Sequence, residues 1–404
     1  RTLPDMVLDW SQDPAHEVNG SLPDDLRIVF SDNGDADFAR IDLAARVPSP
    51  NKISQDLAAF VGTRAPLTEV RLDPPRAEKE ARPRRHIPRR LSEYGFFSGD
   101  VARQQPAAGV VPYDVNTPLF SDYTAKHRFV KLPPGMAAIY SADDVFEMPV
   151  GTQIVKTFAM PRDLRRPETA ERLLETRVLE RTTEGWSGVT YVWDDDQKEA
   201  TLALAGGTID VEWLHTDGKP RRNNYLVPNV NQCKGCHGTS AGMTPIGIRA
   251  RHLNRSFDYG EAVEDQLAHW ASSGLLSGAP DPSVAPRTPV WDDEKSGIDE
   301  RARAWLEINC AHCHQPGGNA QNSGLDLRLS QHDPTKWGVL KPPVAAGTGS
   351  GGMQYDVVPG KPEQSILFLR LRSTHPDVMM PELGKRLVPE EAVGLIEEWI
   401  KQMK

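Results

Sequence analysis

The chain has 404 residues, enough for two or three folding units, with 38% hydrophobic residues, 25% charged residues and a formal net charge of −9. That acidity argues against nucleic acid and anionic membrane surfaces as partners, and no run approaches the roughly 18–20 apolar residues of a membrane helix. The composition is that expected of a water-soluble globular protein.

Residues 1–64 form an N-terminal segment of unclear fold. Residues 26–30 predict a short strand and residues 53–61 a short helix. Between them, residues 31–42 place oxygen-bearing side chains at alternate positions with an acid at the twelfth, as in a calcium loop. Ser31 stands where that loop needs its first acid and Ala36 where it needs its turn glycine, so an acidic surface turn is the better reading. Residues 65–90 read as a linker. Pro66, Pro74, Pro75, Pro83 and Pro88 are interleaved with Arg82, Arg84, Arg85, Arg89 and Arg90, a composition that runs extended and buries no core.

Residues 91–276 read as a β-rich domain. Leu174, Thr176 and Val178, then Val189, Tyr191 and Trp193, then Ile209, Val211 and Trp213 recur with a period of two, and glycine turns at Gly185, Gly206–Gly207 and Gly218 separate them. An antiparallel β-sandwich is expected. It runs without a linker into Cys233-Lys234-Gly235-Cys236-His237, after which residues 259–272 predict a helix. Residues 277–297, with Pro280, Pro282, Pro286 and Pro289, read as a second linker. In residues 298–404, Ile298, Ala302, Trp305 and Leu306 mark an amphipathic helix leading into Cys310-Ala311-His312-Cys313-His314. Ala392, Leu395, Ile396, Trp399 and Ile400 share one face of a closing helix. The fold class expected is therefore multidomain α+β: a sandwich-like domain, then an all-α domain of the class I cytochrome c kind.

Cys-x-x-Cys-His is the pattern for covalent haem c attachment: two thiols add across the haem vinyl groups and the following imidazole binds the iron. The four cysteines are the only ones in the chain, and each belongs to one of the two motifs. Two such pairs could also close a four-thiolate zinc site, or one could serve as a redox dithiol. Zinc leaves the two histidines unexplained, and no βαβ context surrounds either pair. Two haem c groups are thus expected on Cys233, Cys236, Cys310 and Cys313, with His237 and His314 on the irons. Arg249, Arg251 and Arg255 are candidates for the haem propionates.

Methionine is a common second axial ligand in such proteins. For the second haem, Met380 before Pro381 is the candidate, with Met379 and Met353 behind it. For the first, His252 and Met243 lead, followed by His269, His215, His127 and Met160, or the position stays open. Because haem c is attached outside the cytoplasm, a periplasmic location is expected, with an export signal removed ahead of residue 1.

From Pro112 onward the chain resembles a family of bacterial periplasmic dihaem c-type cytochromes of largely unassigned function, often encoded beside parallel β-helix proteins. The resemblance rests on Pro118-Leu119-Phe120-Ser121-Asp122-Tyr123, Pro149-Val150-Gly151-Thr152, Asn231-Gln232 with the first motif, Ile308-Asn309 with the second, Val358-Pro359-Gly360-Lys361-Pro362, and Met380-Pro381. Similar modules are fused to quinoprotein sugar dehydrogenases, which implies electron transfer with a dehydrogenase or another cytochrome as redox partner. The competing functions are a peroxidase-like dihaem enzyme with an open first haem, and a partner-docking module with a haem relay.

Overall fold

The computed structural model describes residues 27–31, 39–41, 69–73, 87–344 and 346–404. The chain divides into two compact units, residues 1–87 and 88–404. Within the first, β1 (Arg27–Ser31), β2 (Ala39–Ile41) and β3 (Glu69–Asp73) form an antiparallel sheet in the order β2-β1-β3. β1 falls where the strand at 26–30 is expected, and β3 lies inside the proline–arginine stretch. The expected helix at 53–61 and the centre of the acidic turn, 32–38, lie outside the described residues.

In the second unit the chain runs through β4 (Val110–Tyr113), β5 (Ala125–Lys131), β6 (Ala138–Ile139), β7 (Gln153–Pro161), β8 (Glu171–Thr182), β9 (Gly185–Trp193) and β10 (Ala200–Leu202). A hairpin of β11 (Gly207–Leu214) and β12 (Pro220–Val227) leads into α1 (Val230–His237), β13 (Gly238–Thr239), β14 (Gly242–Met243) and α2 (Ala250–Leu253). There follow β15 (Ser256–Asp258), β16 (Val263–Asp265), α3 (Gln266–Ser272), β17 (Leu276–Ser277), α4 (Ile298–Asn309), α5 (Ile366–Arg372) and α6 (Glu390–Gln402). No helix among the described residues is long and apolar enough to cross a membrane.

The centre of this unit is a six-stranded antiparallel sheet in the order β10-β9-β8-β7-β5-β4. Side chains alternate across its faces, so the register decides what each face carries. Phe129, Val155, Val178 and Val189 form one apolar row, and Phe97 meets Phe129 edge-on at 5.0 Å. The next row along, Arg128, Lys156 and Arg177, lies on the other face. One end of that second face is covered by the β11–β12 ribbon, where Phe158 and Leu174 pack with Val211, Trp213 and Tyr225. Its other end is covered by α2 and α3, where Val130 and Ile154 share a core with Leu253, Leu267 and Trp270. The cation row lies between the two.

Two expectations about fold class are corrected. The β-sandwich is not formed. β11 alternates as its sequence implies, but the only strand it pairs with among the described residues is β12, apart from a single bridge from Leu214 to Asp163, and the second layer is this ribbon with helices and irregular chain. Nor is the C-terminal part an all-α cytochrome c domain. The described residues hold only six short helices, and within 298–404 these are α4, α5 and α6, of 12, 7 and 13 residues. The rest is 3-10 turns, loops and isolated bridges such as Val339–Val357. Glycine and proline recur through 315–362, and each opposes helix propagation. This part also belongs to the same compact unit as the sheet. Asp122 accepts from the Arg386 and Leu387 amides at 2.8 and 2.9 Å, and Asn309 accepts from the Phe120 amide at 2.7 Å.

The helix expected at 259–272 begins only at Gln266, because the Asp265 side chain caps it by accepting from the Leu267 and Ala268 amides. The two amphipathic faces of 298–404 do meet: Ala302, Trp305 and Leu306 of α4 share a core with Leu395, Ile396 and Trp399 of α6. Trp399 Nε1 ties the pair by donating to Asp299 Oδ1 at 2.8 Å.

Candidate functional site: two abutting Cys-x-x-Cys-His segments

α1 begins at a reciprocal cap, with Asn229 and Gln232 side chains each accepting from the other's amide at 2.9 Å. It carries Cys233, Cys236 and His237. The β13–β14 hairpin then folds back, so the Thr244 amide donates to the His237 carbonyl at 2.8 Å. His237 Nδ1 lies 2.8 Å from the Thr244 carbonyl. A carbonyl only accepts, so Nδ1 carries the proton and Nε2 keeps its lone pair.

The second segment reaches the same tautomer by another route. His314 Nδ1 lies 2.9 Å from Ser323 Oγ, whose single proton is given to the Ala320 carbonyl at 2.7 Å. The hydroxyl must therefore accept from Nδ1. In both motifs a second group fixes the imidazole and leaves Nε2 to bind something else, which is how metal-ligating histidines are held.

The two segments touch. Asn319 Nδ2 donates to the Lys234 and Gly235 carbonyls at 2.7 and 2.9 Å, the Ser240 amide donates to Gly317 at 2.8 Å, and Cys313 Sγ lies 3.5 Å from the Gly235 carbonyl. Glycine serves this approach: a Cβ at Gly317 would sit 2.9 Å from Ser240 Oγ, and one at Gly238 would sit 3.1 Å from Asn319 Nδ2. The four thiols are free of disulfides. Among the described residues no group of three or more His, Cys, Asp or Glu side chains is placed to hold a metal ion, so the thiols do not gather as a zinc site requires.

Between the first segment and the sheet lies a small, partly open pocket lined by Arg128, Lys156 and Arg177 on the strands and by Cys233, His237 and Ile246 opposite. Arg177 pairs with Glu175 at 2.5 Å, and Arg128 pairs with Asp114 at 2.5 Å. Lys156 makes no hydrogen bond or ion pair among the described residues, and its ammonium lies 5.3 Å from the Phe158 ring centre. Burial, then the Arg177 and Arg128 charges, push Lys156 down to about 7. Burial takes His237 down to about 3 and His314 to about 4, so both imidazoles are neutral near pH 7, the form that binds metals. It raises all four thiols, Cys310 and Cys313 to about 12, while the Arg177 charge opposes the rise at Cys233 and Cys236. Free thiols and preset imidazoles are the donor set that haem c uses.

The other candidates fall elsewhere. Arg249 bonds the Asp143 carbonyl, Arg251 pairs with Asp143 and Glu307, and Arg255 with Asp114; none lines the cavity. Met243 belongs to the hairpin that holds His237 and pairs with Gly238, and its Cε borders the pocket, 3.8 Å from where a Cβ on lining Gly188 would sit. His252 is 2% exposed and packs near Glu307 of α4, with Nε2 3.8 Å from Oε1, away from the cavity lining. His127 bonds Glu171, His269 stacks on Tyr259, His215 sits against Tyr123, and Met160 is in the ribbon core.

Met380, adjoining Met379, is pinned at both backbone ends. Its amide donates to Arg370, and its carbonyl accepts from buried Lys385, whose ammonium also serves the Leu371 and Ser373 carbonyls. Arg370 bears electrostatically on His314, and Lys385 on Cys310, so this loop lies beside the second motif. Met353 is held by its amide to Ser350 in the glycine-rich loop. Sequence reasoning missed Lys156, Arg128, Arg177, Thr244, Asn319 and Ser323. The available signal was the charge at inward positions of otherwise apolar strands.

His252 yields a pH prediction. Burial, with the Arg249 and Arg251 charges, lowers it to about 3, and its Nδ1 has no hydrogen-bond partner. Below its unfolded value of about 6.5 the unfolded chain takes a proton that the folded chain refuses. Stability from this residue is therefore full above that value and declines as pH falls towards about 3. His252→Leu should flatten the fall in unfolding free energy, read from urea unfolding, between pH 6.5 and 4 by about 1.4 kcal/mol per pH unit. Equal slopes in both proteins would show that the residue is not held neutral.

Comparison of the chain with protein-family models, with curated proteins and with solved structures finds no match.

Proposed function

We propose that the chain is a dihaem c-type cytochrome of the periplasm, carrying electrons between a redox partner, such as a dehydrogenase or another cytochrome, and a downstream acceptor. The observation that carries this reading is the pairing of two abutting Cys-x-x-Cys-His segments, each with its imidazole proton engaged and Nε2 left over. Bound haem c would supply a one-electron carrier at each motif. Cys233, Cys236 and His237 would hold the first, and Cys310, Cys313 and His314 the second, with Met380 as a further iron ligand there. Thr244 and Ser323 fix the two imidazoles. Asn319 sets the separation of the segments, and the sheet excludes water from the first.

The test is expression in a periplasm with haem c maturation, read by pyridine haemochrome and intact mass. Two haems per chain are expected. Cys233→Ala/Cys236→Ala and Cys310→Ala/Cys313→Ala should each keep one. A chain that leaves the periplasm without covalent haem sinks the reading.

A further inference from the structure

We propose that Lys156 Nζ is the second axial ligand of the iron held by His237, an inference that rests on the dihaem reading above. The cavity beside the first motif is lined by side chains from two sources. His237 and Cys233 come from the motif, and Lys156 comes from β7 in the sheet wall facing it. Few lining residues carry an atom able to bind iron. Cys233 is committed to the thioether. Tyr113 packs edge-on against Trp270 at 5.7 Å, and burial keeps its hydroxyl protonated. Lys156 remains.

The register explains why it is free. Lys156 sits directly between Arg128 on β5 and Arg177 on β8, three cationic residues in one row on one face. Like charges directly opposite one another destabilise a sheet. Each guanidinium keeps its proton and has a carboxylate, Asp114 or Glu175. The middle residue has no ion pair or hydrogen-bond acceptor among the described residues and feels Glu175, already paired with Arg177, only through space. A lone pair given to a metal removes the conflict, since ligation needs the neutral amine.

A propionate partner is the competing role for an unpaired lysine. Placement speaks against it. The Lys156 charge reaches Cys233, Cys236 and His237 alike. Those residues grip the thioether edge and the iron, and the propionates project from the far edge of the ring. His252 does not line this cavity, and Met243, whose Cε borders it at Gly188, would give a methionine–iron charge-transfer band instead of histidine–amine ligation.

The test uses the full-length, haem-loaded protein. Near-infrared magnetic circular dichroism and EPR of the unmutated ferric protein should show one low-spin haem with histidine–amine ligation. Lys156→Ala and Lys156→Arg should each turn one of the two haems high-spin and cyanide-binding, with the haem count unchanged. Arginine keeps the charge but donates no lone pair, so a Lys156→Arg protein with both haems low-spin makes Lys156 a charge partner and overturns the proposal. So does a first haem with methionine or bis-histidine ligation, or one already high-spin without mutation. If a variant fails to fold, the spectrum of the unmutated protein still decides. Absence of covalent haem is a different failure, that of the cytochrome reading itself.

Discussion

Glu175→Ala is expected to lower the free energy of unfolding by about 3–5 kcal/mol, the range found when one member of a buried ion pair is removed. The Glu175 side chain has no solvent exposure. It accepts from Arg177 Nη2 at 2.5 Å and Nε at 2.9 Å, and from the Tyr225 hydroxyl at 2.6 Å. Alanine would strand a guanidinium that cannot shed its proton, a buried hydroxyl and the Arg128–Lys156–Arg177 row together. Glu175→Gln keeps an acceptor for Tyr225 and should cost less. Urea unfolding of both variants checks this through the midpoint at constant slope. A loss under about 1 kcal/mol for alanine would mean that water or rearrangement supports the cation row instead.

The second large effect is expected at Trp399. Trp399→Ala should cost about 3–5 kcal/mol, because a buried aromatic leaves a cavity its neighbours only partly fill. Trp399 is 2% exposed and lies in the core that α4 and α6 share. Trp399→Phe should cost less, about 1 kcal/mol of it from the lost bond to Asp299. The readout is hydrogen exchange along α4 as well as the melting midpoint. If α4 stays protected in Trp399→Ala while the rest weakens, α6 is not what holds the helix leading into Cys310.

The parts of this protein that sequence made legible are those governed by local pattern. The Cys-x-x-Cys-His spacing needs no third dimension. The faces of α4 and α6 follow from a 3.6-residue period, and β11 from a period of two. What stayed hidden depends on pairing. The Arg128–Lys156–Arg177 row exists only once three strands adopt their register. Its members are residues that, read singly, look like solvated charge. Arg249, Arg251 and Arg255 looked equally suitable for an anion, but Asp143, Glu307 and Asp114 already engage them. The missing sandwich and the missing all-α domain share one cause. Strand and helix signals report each element's own faces, whereas the number of layers depends on what covers them. Here a ribbon covers the sheet at one end and Asp122 ties the C-terminal loop into the same unit.

The abutment of the two motifs also sets an order of assembly. The thiols of Cys310 and Cys313 are held protonated, with values pushed up to about 12, and Cys313 Sγ lies against the Gly235 carbonyl. A protonated thiol is a poor nucleophile. The thioether bonds of the proposed haems would therefore form while the chain is still open. In synthesis the 233–237 segment emerges first, and the residues that lock onto it, Gly317 to Asn319, arrive some eighty positions later. The first motif thus has a built-in interval of accessibility, closed by the arrival of the second.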